Sequence, residues 1–282
     1  MSFTTLVSTD QLSKHLEDPG WVIFDCRFTL TDPGAGKAAY DQGHIPGARY
    51  AHLDDDLAAP VGPNTGRHPL PDAELLAEKL GKWGVDENKQ VVVYDDAFGA
   101  MAVRMWWLLK WMGHEKVALL DGVLPKWIRE KRPMTDEVPA ITPTVFVAKV
   151  NDAMWITADE LQAALGKGEV ILLDARAEER FSGEVEPLDK VAGHVPGAIN
   201  LPWEDNLDLG GNLLSSEELR EFYREKMGDR HATMVVNMCG SGVTACHNIL
   251  AMEHAGLHGS RLYAGSWSEW ITDTRRPVAK DE

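Results

Sequence analysis

The segment GHIPGARY at residues 43–50 returns, little changed, as GHVPGAIN at residues 193–200. The two motif histidines, His44 and His194, lie 194 − 44 = 150 positions apart. A matching pair precedes these segments, WVIFDCR with VILLDAR, and two more come after them in the same order: VVVYDDAFGAMA with VVNMCGSGVTA, and DGVLPKWI with AGSWSEWI. A repeat of this length predicts two homologous domains and not a solenoid of short units.

The boundary between the two copies is expected in a proline-containing connection. The stretch KRPMTDEVPAITPTV, at residues 131–145, has three prolines and no helical period. Such a composition is typical of an exposed linker. We therefore predict a non-catalytic domain at residues 1–135, a linker at 136–154, and a catalytic domain at 155–282.

Each half alternates short apolar runs with amphipathic stretches, which indicates an α/β fold with a parallel sheet flanked by helices. In such sheets, ligands bind beyond the carboxyl ends of the strands. The predicted strands are 22–24, 91–94, 117–120, 170–173 and 234–236, and the predicted helices are 74–83, 104–112, 158–166, 216–227 and 245–256.

The formal net charge of -16 disfavours nucleic acid and anionic membranes as partners. The N-terminus lacks the basic and apolar regions of a secretory signal, and three cysteines are too few for a disulfide framework. We therefore expect a cytoplasmic protein whose thiols stay reduced.

The two halves differ at one chemically informative position. After the second-half strand, the chain continues as Cys239-Gly240-Ser241-Gly242-Val243-Thr244 into a helix, whereas the first half has Asp95-Asp96-Ala97-Phe98-Gly99. Glycines allow a loop to turn several backbone N–H groups inward, and a helix N-terminus favours negative charge. We expect these groups to stabilise Cys239 as a thiolate nucleophile. The alternative is that Cys239 is a small buried core residue.

A phosphatase is disfavoured by the same loop. Cysteine-dependent phosphatases need an arginine six positions after the cysteine to grip phosphate. That position is Ala245 here, and none of the residues from Gly240 to Thr244 is cationic.

The paired GHIPGA and GHVPGA segments and the Cys-led loop resemble the rhodanese superfamily in its tandem-domain form, over nearly the whole chain. The resemblance implies two α/β domains, of which only the second is catalytic, and an active site between them. It also implies transfer of a sulfur atom through a Cys239 persulfide, with no metal or organic cofactor.

The loop CGSGVT resembles that of the 3-mercaptopyruvate sulfurtransferases. This resemblance implies a proton relay of Ser241, Asp54 and His68, and substrate binding by Arg180. The alternative for Arg180 is an ion pair with Glu178 or Glu179. The resemblance and the loop together give the remaining candidate substrate-binding residues: Gly240, Gly242, Val243, Thr244 and Lys190.

The sequence departs from that pattern before the second GH-PG motif. Where a second arginine is expected, the chain has Leu188, Asp189 and Lys190, and Lys190 offers charge without a bidentate fork. Both 3-mercaptopyruvate and thiosulfate therefore stay open as donors. The expected acceptors are cyanide, small thiols or thioredoxin. The alternative from another class is a non-enzymatic binding or redox-sensing module.

Overall fold

The computed structural model describes residues 2–281 and divides the chain into two compact units. The first contains the described residues up to Ala59, together with Leu70–Asn151 and Gly210–Asn212. The second contains Pro60–Pro69, Asp152–Leu209 and the described residues from Leu213 onward. A ten-residue segment of the first half of the sequence therefore packs with the second unit.

The first unit has a five-stranded parallel sheet in the order β1-β5-β4-β2-β3. Its central strands are almost entirely buried and rich in Val, Ile and Leu, as expected for a sheet covered on both faces. The strands are β1 (Leu6–Val7), β2 (Trp21–Asp25), β3 (Ala48–Tyr50), β4 (Gln90–Tyr94) and β5 (Val117–Leu120). The helices are α1 (Thr9–Ser13), α2 (Ala35–Gln42), α3 (Leu53–Asp56), α4 (Ala73–Lys82), α5 (Ala102–Trp111) and α6 (Val123–Arg129).

The second unit has a four-stranded parallel sheet in the order β7-β6-β8-β9. Its strands are β6 (Ile171–Asp174), β7 (Ile199–Asn200), β8 (Val235–Met238) and β9 (Arg261–Leu262). The α-helices are α7 (Ala158–Lys167), α8 (Glu178–Ser182), α9 (Ser216–Met227), α10 (Ala245–His254) and α11 (Ser266–Trp270), and short 3-10 turns span Asp152–Met154, Trp203–Asn206 and Ala232–Met234. The predicted α/β class with parallel sheets is confirmed in both units.

In each unit, the first glycine of the GH-PG motif accepts a hydrogen bond from the arginine of a buried Arg–Asp ion pair. In the first, Arg27 pairs with Asp25 and its Nη2 donates to the carbonyl of Gly43 at 2.7 Å. In the second, Arg176 pairs with Asp174 and its Nη2 donates to the carbonyl of Gly193 at 2.8 Å. A buried pair is tolerable only when its remaining donors are satisfied, and the glycine carbonyl does this in both copies.

The motif histidines are structural in both units. His44 stacks on Tyr40 with ring centroids 3.8 Å apart, and His194 stacks on Phe181 at 3.9 Å. The backbone of each histidine also forms an antiparallel bridge, His44 with Thr135 and His194 with Ala279. These contacts fix the turn that leads into the short edge strand.

No helix among residues 2–281 combines the length and apolar content needed to cross a membrane.

Candidate active site

Cys239 directly follows the carboxyl end of β8, a central strand of the second sheet. The loop from Cys239 to Thr244 then leads into α10. Two carbonyls of the loop are anchored by α11, since Trp267 N donates to the Cys239 carbonyl at 3.0 Å and Ser268 N donates to the Gly240 carbonyl at 2.9 Å. The nucleophile candidate therefore sits where ligands bind in parallel sheets.

The Cys239 sulfur is buried, with 2% of the residue exposed, and accepts a hydrogen bond from the backbone N–H of Gly242 at 3.2 Å. The backbone N–H of Cys239 itself donates to Ser266 Oγ at 3.1 Å, so this amide does not point at the sulfur. Sequence reasoning expected several inward amides, and Gly242 is the one whose bond to the sulfur is observed. A hydrogen bond of this kind is stronger to an anionic sulfur than to a neutral thiol.

The first unit shows what this loop position does when it holds a carboxylate. Leu124 N donates to the Asp95 carbonyl at 3.0 Å, as Trp267 N does to the Cys239 carbonyl, so Asp95 and Cys239 are structurally equivalent. The buried Asp95 carboxylate accepts hydrogen bonds from four backbone amides. Their donors are Ala97, Gly99, Met101 and Ala102, at 2.8 to 2.9 Å. This loop thus holds an anion through its backbone in the copy that lacks the cysteine.

His68 and Ser241 lie side by side in the second unit. His68 Nδ1 is 2.7 Å from Ser241 Oγ, and both residues are buried. The segment carrying His68 is fixed because Arg67 N donates to Ser268 Oγ at 3.0 Å. The structure thus brings together two of the three residues of the expected relay, with His68 against Ser241 of the loop that holds Cys239.

The third relay residue, Asp54, belongs to the first unit, where it lies in the first turn of α3. Its role stays a prediction. Of the other loop candidates, Val243 is buried, and Thr244 is the residue before α10 and has no side-chain cap bond. Lys190 is exposed on the segment before the second GH-PG motif.

Arg180 lies in α8 and pairs with Glu186 and Asp189, and not with Glu178 or Glu179 as in the alternative considered above. Its Nε and Nη2 both bond to the Glu186 carboxylate, and its Nη2 donates to Asp189 Oδ2 at 3.1 Å. An alanine β-carbon at position 240 would lie 3.4 Å from Arg180 Nη1, so the guanidinium lies over the residue that follows the cysteine.

Burial affects the two acidic partners differently. It raises the pKa of the Asp189 carboxyl above its ordinary value, despite the nearby charges of Arg67 and Arg180. Burial also disfavours the charge of Glu186, but hydrogen bonds from Arg180 and from the Leu188 amide outweigh it and hold the pKa of Glu186 below its ordinary range. The surroundings therefore favour the charged form of Glu186 and disfavour that of Asp189.

Sequence reasoning missed Arg67, whose Nη1 pairs with Asp189 Oδ1. A β-carbon on Gly240 would lie 2.8 Å from Arg67 Nη2, closer than it would lie to Arg180. The available signal was its place beside His68 in GRHPLP. It was not informative alone, because only the fold brings this segment to the Cys239 loop.

The sequence model of the rhodanese-like domain family matches residues 8–130 and again residues 157–273. The chain belongs to the rhodanese family. A probable 3-mercaptopyruvate sulfurtransferase of Pseudomonas aeruginosa is 48% identical, with 99% of each chain covered. A putative thiosulfate sulfurtransferase of Mycobacterium tuberculosis is 40% identical, covering 92% of this chain and 90% of its own.

Among solved structures, the 3-mercaptopyruvate sulfurtransferase from Leishmania major matches this chain with a TM-score of 0.85 and 30% identity. The match covers 98% of this chain and 76% of that one. This rhodanese-family protein is thus an enzyme, a sulfurtransferase.

Proposed function

We propose that this sulfurtransferase takes a sulfur atom from 3-mercaptopyruvate onto Cys239 as a persulfide and passes it to a thiophilic acceptor. The observation that carries the proposal is the contact of His68 with Ser241, which belongs to the loop that holds the Cys239 sulfur. When 3-mercaptopyruvate gives up its sulfur, the enolate that leaves must be protonated. A serine and a histidine in hydrogen-bond contact can transfer that proton. The Mycobacterium tuberculosis and Pseudomonas aeruginosa relatives differ in their named donors, so the donor rests on this geometry.

The chemistry divides into two balanced steps. The Cys239 thiolate attacks the thiol sulfur of 3-mercaptopyruvate; an S–S bond forms, the C–S bond breaks, and its electron pair leaves on the pyruvate enolate. A proton then converts the enolate into pyruvate. In the second step a nucleophile takes the outer sulfur, and Cys239 regains its electron pair as a thiolate.

We assign roles to the remaining residues on the same basis. Ser241, His68 and Asp54 move the proton, and Arg180 binds the donor carboxylate. The loop backbone from Gly240 through Gly242 and Val243 to Thr244 surrounds the sulfur, and Lys190 adds positive charge nearby. In this proposal residues 155–282 form the catalytic domain, residues 1–135 the non-catalytic domain, and residues 136–154 the linker.

Thiosulfate is the second candidate donor, and one observation favours it. Two guanidinium groups, those of Arg67 and Arg180, lie over Gly240, and such a pair suits a compact dianion. With thiosulfate, the thiolate attacks the sulfane sulfur, the S–S bond of the donor breaks and sulfite leaves with the electron pair, so no proton relay is required.

The acceptor is proposed from chemistry alone. Any soft nucleophile that reaches the outer sulfur can remove it, which includes cyanide, small thiols and the dithiol of thioredoxin. A reducing cytoplasm would supply such acceptors and keep Cys239 reduced between turnovers.

The direct test is to incubate the enzyme with 3-mercaptopyruvate, without acceptor, and to measure its intact mass and peptide masses. We expect a mass gain of one sulfur atom on the Cys239 peptide, with release of one pyruvate per enzyme, and loss of that mass when cyanide is added. Pyruvate formation without a sulfur on Cys239 would contradict the persulfide route.

Ser241→Ala is expected to lower turnover of 3-mercaptopyruvate about a hundredfold and turnover of thiosulfate far less, because only the first leaving group needs the proton. The measurement is the ratio of kcat/KM for the two donors in the variant and in the unchanged enzyme. Ser260→Ala, at a buried serine of the same unit outside the Cys239 loop, is the matched control and should leave the ratio unchanged. Equal losses for both donors in Ser241→Ala would reject the relay.

A further inference from the structure

Two guanidinium groups lie over the residue that follows the nucleophile. A β-carbon on Gly240 would be 2.8 Å from Arg67 Nη2, and 3.4 and 3.5 Å from the two terminal nitrogens of Arg180. Arg67 and Arg180 come from different segments of the second unit, residues 60–69 and helix α8. Together they form a two-arginine group next to Cys239, of the kind that binds carboxylates with both oxygens engaged.

The chain itself occupies this two-arginine group with a carboxylate. Asp189 Oδ1 accepts from Arg67 Nη1, and Asp189 Oδ2 accepts from Arg180 Nη2 at 3.1 Å. Its side chain is only 5% exposed, whereas those of Arg67 and Arg180 are 29% and 19% exposed. One internal carboxylate thus bridges both guanidiniums, with one oxygen on each.

The cluster around this bridge is electrically balanced. It contains three arginines and three carboxylates in one connected set of ion pairs: Arg67, Arg176, Arg180, Asp174, Glu186 and Asp189. A donor anion that binds there adds one uncompensated negative charge, which is costly in a largely buried site. Binding is favourable if one of the internal carboxylates gives up its place.

Asp189 is the carboxylate that can leave. Glu186 forms ion pairs with Arg176 and Arg180. It also accepts hydrogen bonds from the backbone amides of Leu188 and Asp189. Asp189 is held through Arg67 and Arg180, the two groups a donor would contact. The segment around Asp189 forms neither helix nor strand, and its backbone is fixed by Trp267 Nε1, which donates to the Val191 carbonyl at 2.8 Å. Rotation of the Asp189 side chain alone is therefore sufficient to release the two arginines.

We propose that Arg67 and Arg180 together form the anion-binding group for the donor, and that Asp189 is a built-in competitor whose carboxylate occupies this group until the donor displaces it. The inference rests on the proposed function, since it takes Cys239 as the sulfur-accepting residue. Arg67 is in this view a second donor-binding residue, supplied by the GRHPLP segment. Asp189 lowers the affinity for every anion that competes for the site.

The test compares Asp189→Asn with Glu184→Gln, which removes the same charge from an exposed position of the same segment. Asparagine keeps the size of Asp189 but cannot balance the arginines. We expect the KM for 3-mercaptopyruvate to fall about tenfold in Asp189→Asn, with kcat nearly unchanged, as expected when one competing charge is removed. The inhibition constant of pyruvate, which carries a carboxylate but no transferable sulfur, should fall by a similar factor. Glu184→Gln should change neither quantity.

A second pair of variants identifies Arg67. Arg67→Met is expected to raise the KM about tenfold, and to remove the gain of Asp189→Asn when the two changes are combined, because the released guanidinium is then absent. Additive effects of the two changes would contradict a shared anion site. An Asp189→Asn variant whose KM rises, or whose pyruvate inhibition equals that of Glu184→Gln, would show that Asp189 positions the arginines and does not compete.

The mass measurement on Cys239 separates this inference from the proposed function. If the unchanged enzyme gains no sulfur on Cys239 from 3-mercaptopyruvate or thiosulfate, the proposed function is wrong. If it gains the sulfur and Asp189→Asn still binds pyruvate no more tightly, the proposed function stands and the competitor role of Asp189 is wrong.

Discussion

Replacing Cys239 with serine is expected to abolish sulfur transfer, with kcat/KM for either donor falling by a factor of at least about 1,000. A serine hydroxyl stays protonated at neutral pH and cannot hold a persulfide, so both half-reactions lose their carrier. The fold should survive, because serine fits the same volume and can accept the bond from Gly242 N that the sulfur accepts at 3.2 Å. Thiocyanate formation from each donor and cyanide is the measurement.

Cys26 provides the matched control. It follows β2 in the first unit, is as buried as Cys239 at 2% exposure, and its backbone N–H donates to the Tyr94 carbonyl. Burial raises the pKa of the Cys26 thiol well above its ordinary value, and the charges of Asp25 and Asp95 raise it further. Cys26→Ala should therefore keep full activity. Retention of thiocyanate formation by Cys239→Ser, or its loss in Cys26→Ala, would show that the assigned cysteine is wrong.

The duplicated fold could be predicted because its signals are local and occur twice. The buried strands β2, β4, β5, β6 and β8 are built around short runs of Val, Ile and Leu, and the predicted bounds of each agree with the structure to within two residues at either end. The two GH-PG motifs share a structural role, because in each copy the carbonyl of the first glycine accepts a hydrogen bond from the arginine of a buried Arg–Asp pair. Aligning the two copies also singled out Cys239 as the candidate nucleophile, because the first copy has Asp95 at that position.

The short elements could not be predicted because tertiary contacts, and not local patterns, define them. β7 and β9 have two residues each and exist only as edges paired with a longer neighbour. Helix α6 carries a proline in its first turn, at Pro125, within a segment recognised only as a repeated motif. Such a proline is compatible with a helix start, but a seven-residue helix leaves little periodicity to detect.

In the candidate site too, local motifs could be predicted from the sequence, whereas contacts between distant segments could not. The Cys239 loop and the named pair of Ser241 and His68 came from the motif and the resemblance, and these two side chains lie 2.7 Å apart. The pairing of Arg67 with Asp189 joins residues 122 positions apart, and no local pattern relates them. Sequence reasoning looked for a second cation at Leu188, Asp189 and Lys190, whereas the second guanidinium beside Gly240 is that of Arg67, on a different segment.

The glycine at position 242 links the loop conformation to the chemistry, and Gly242→Ala is expected to lower kcat/KM about a hundredfold or more. Its φ of +76° lies in the left-handed region, and an added β-carbon would lie 2.2 Å from the Ala264 carbonyl oxygen and 2.9 Å from the Ala264 carbonyl carbon. Backbone atoms cannot move aside as a flexible side chain can, so the loop must shift. The Gly242 amide would then leave the Cys239 sulfur, and losing one such donor typically costs a factor of about 100 to 1,000.

Gly168→Ala separates the effect of the contact from that of the backbone angle. Gly168 ends α7 with a φ of +68°, and an added β-carbon there would meet nothing within 4 Å. It should lower the free energy of unfolding by only about 1 kcal/mol and leave kcat/KM unchanged. Gly242→Ala should lower the free energy of unfolding by more than that in thermal or denaturant melts, because it adds a steric clash to the same strain. If the two variants lost equal stability and both kept full activity, the bond from the Gly242 amide to the sulfur would have no role in catalysis.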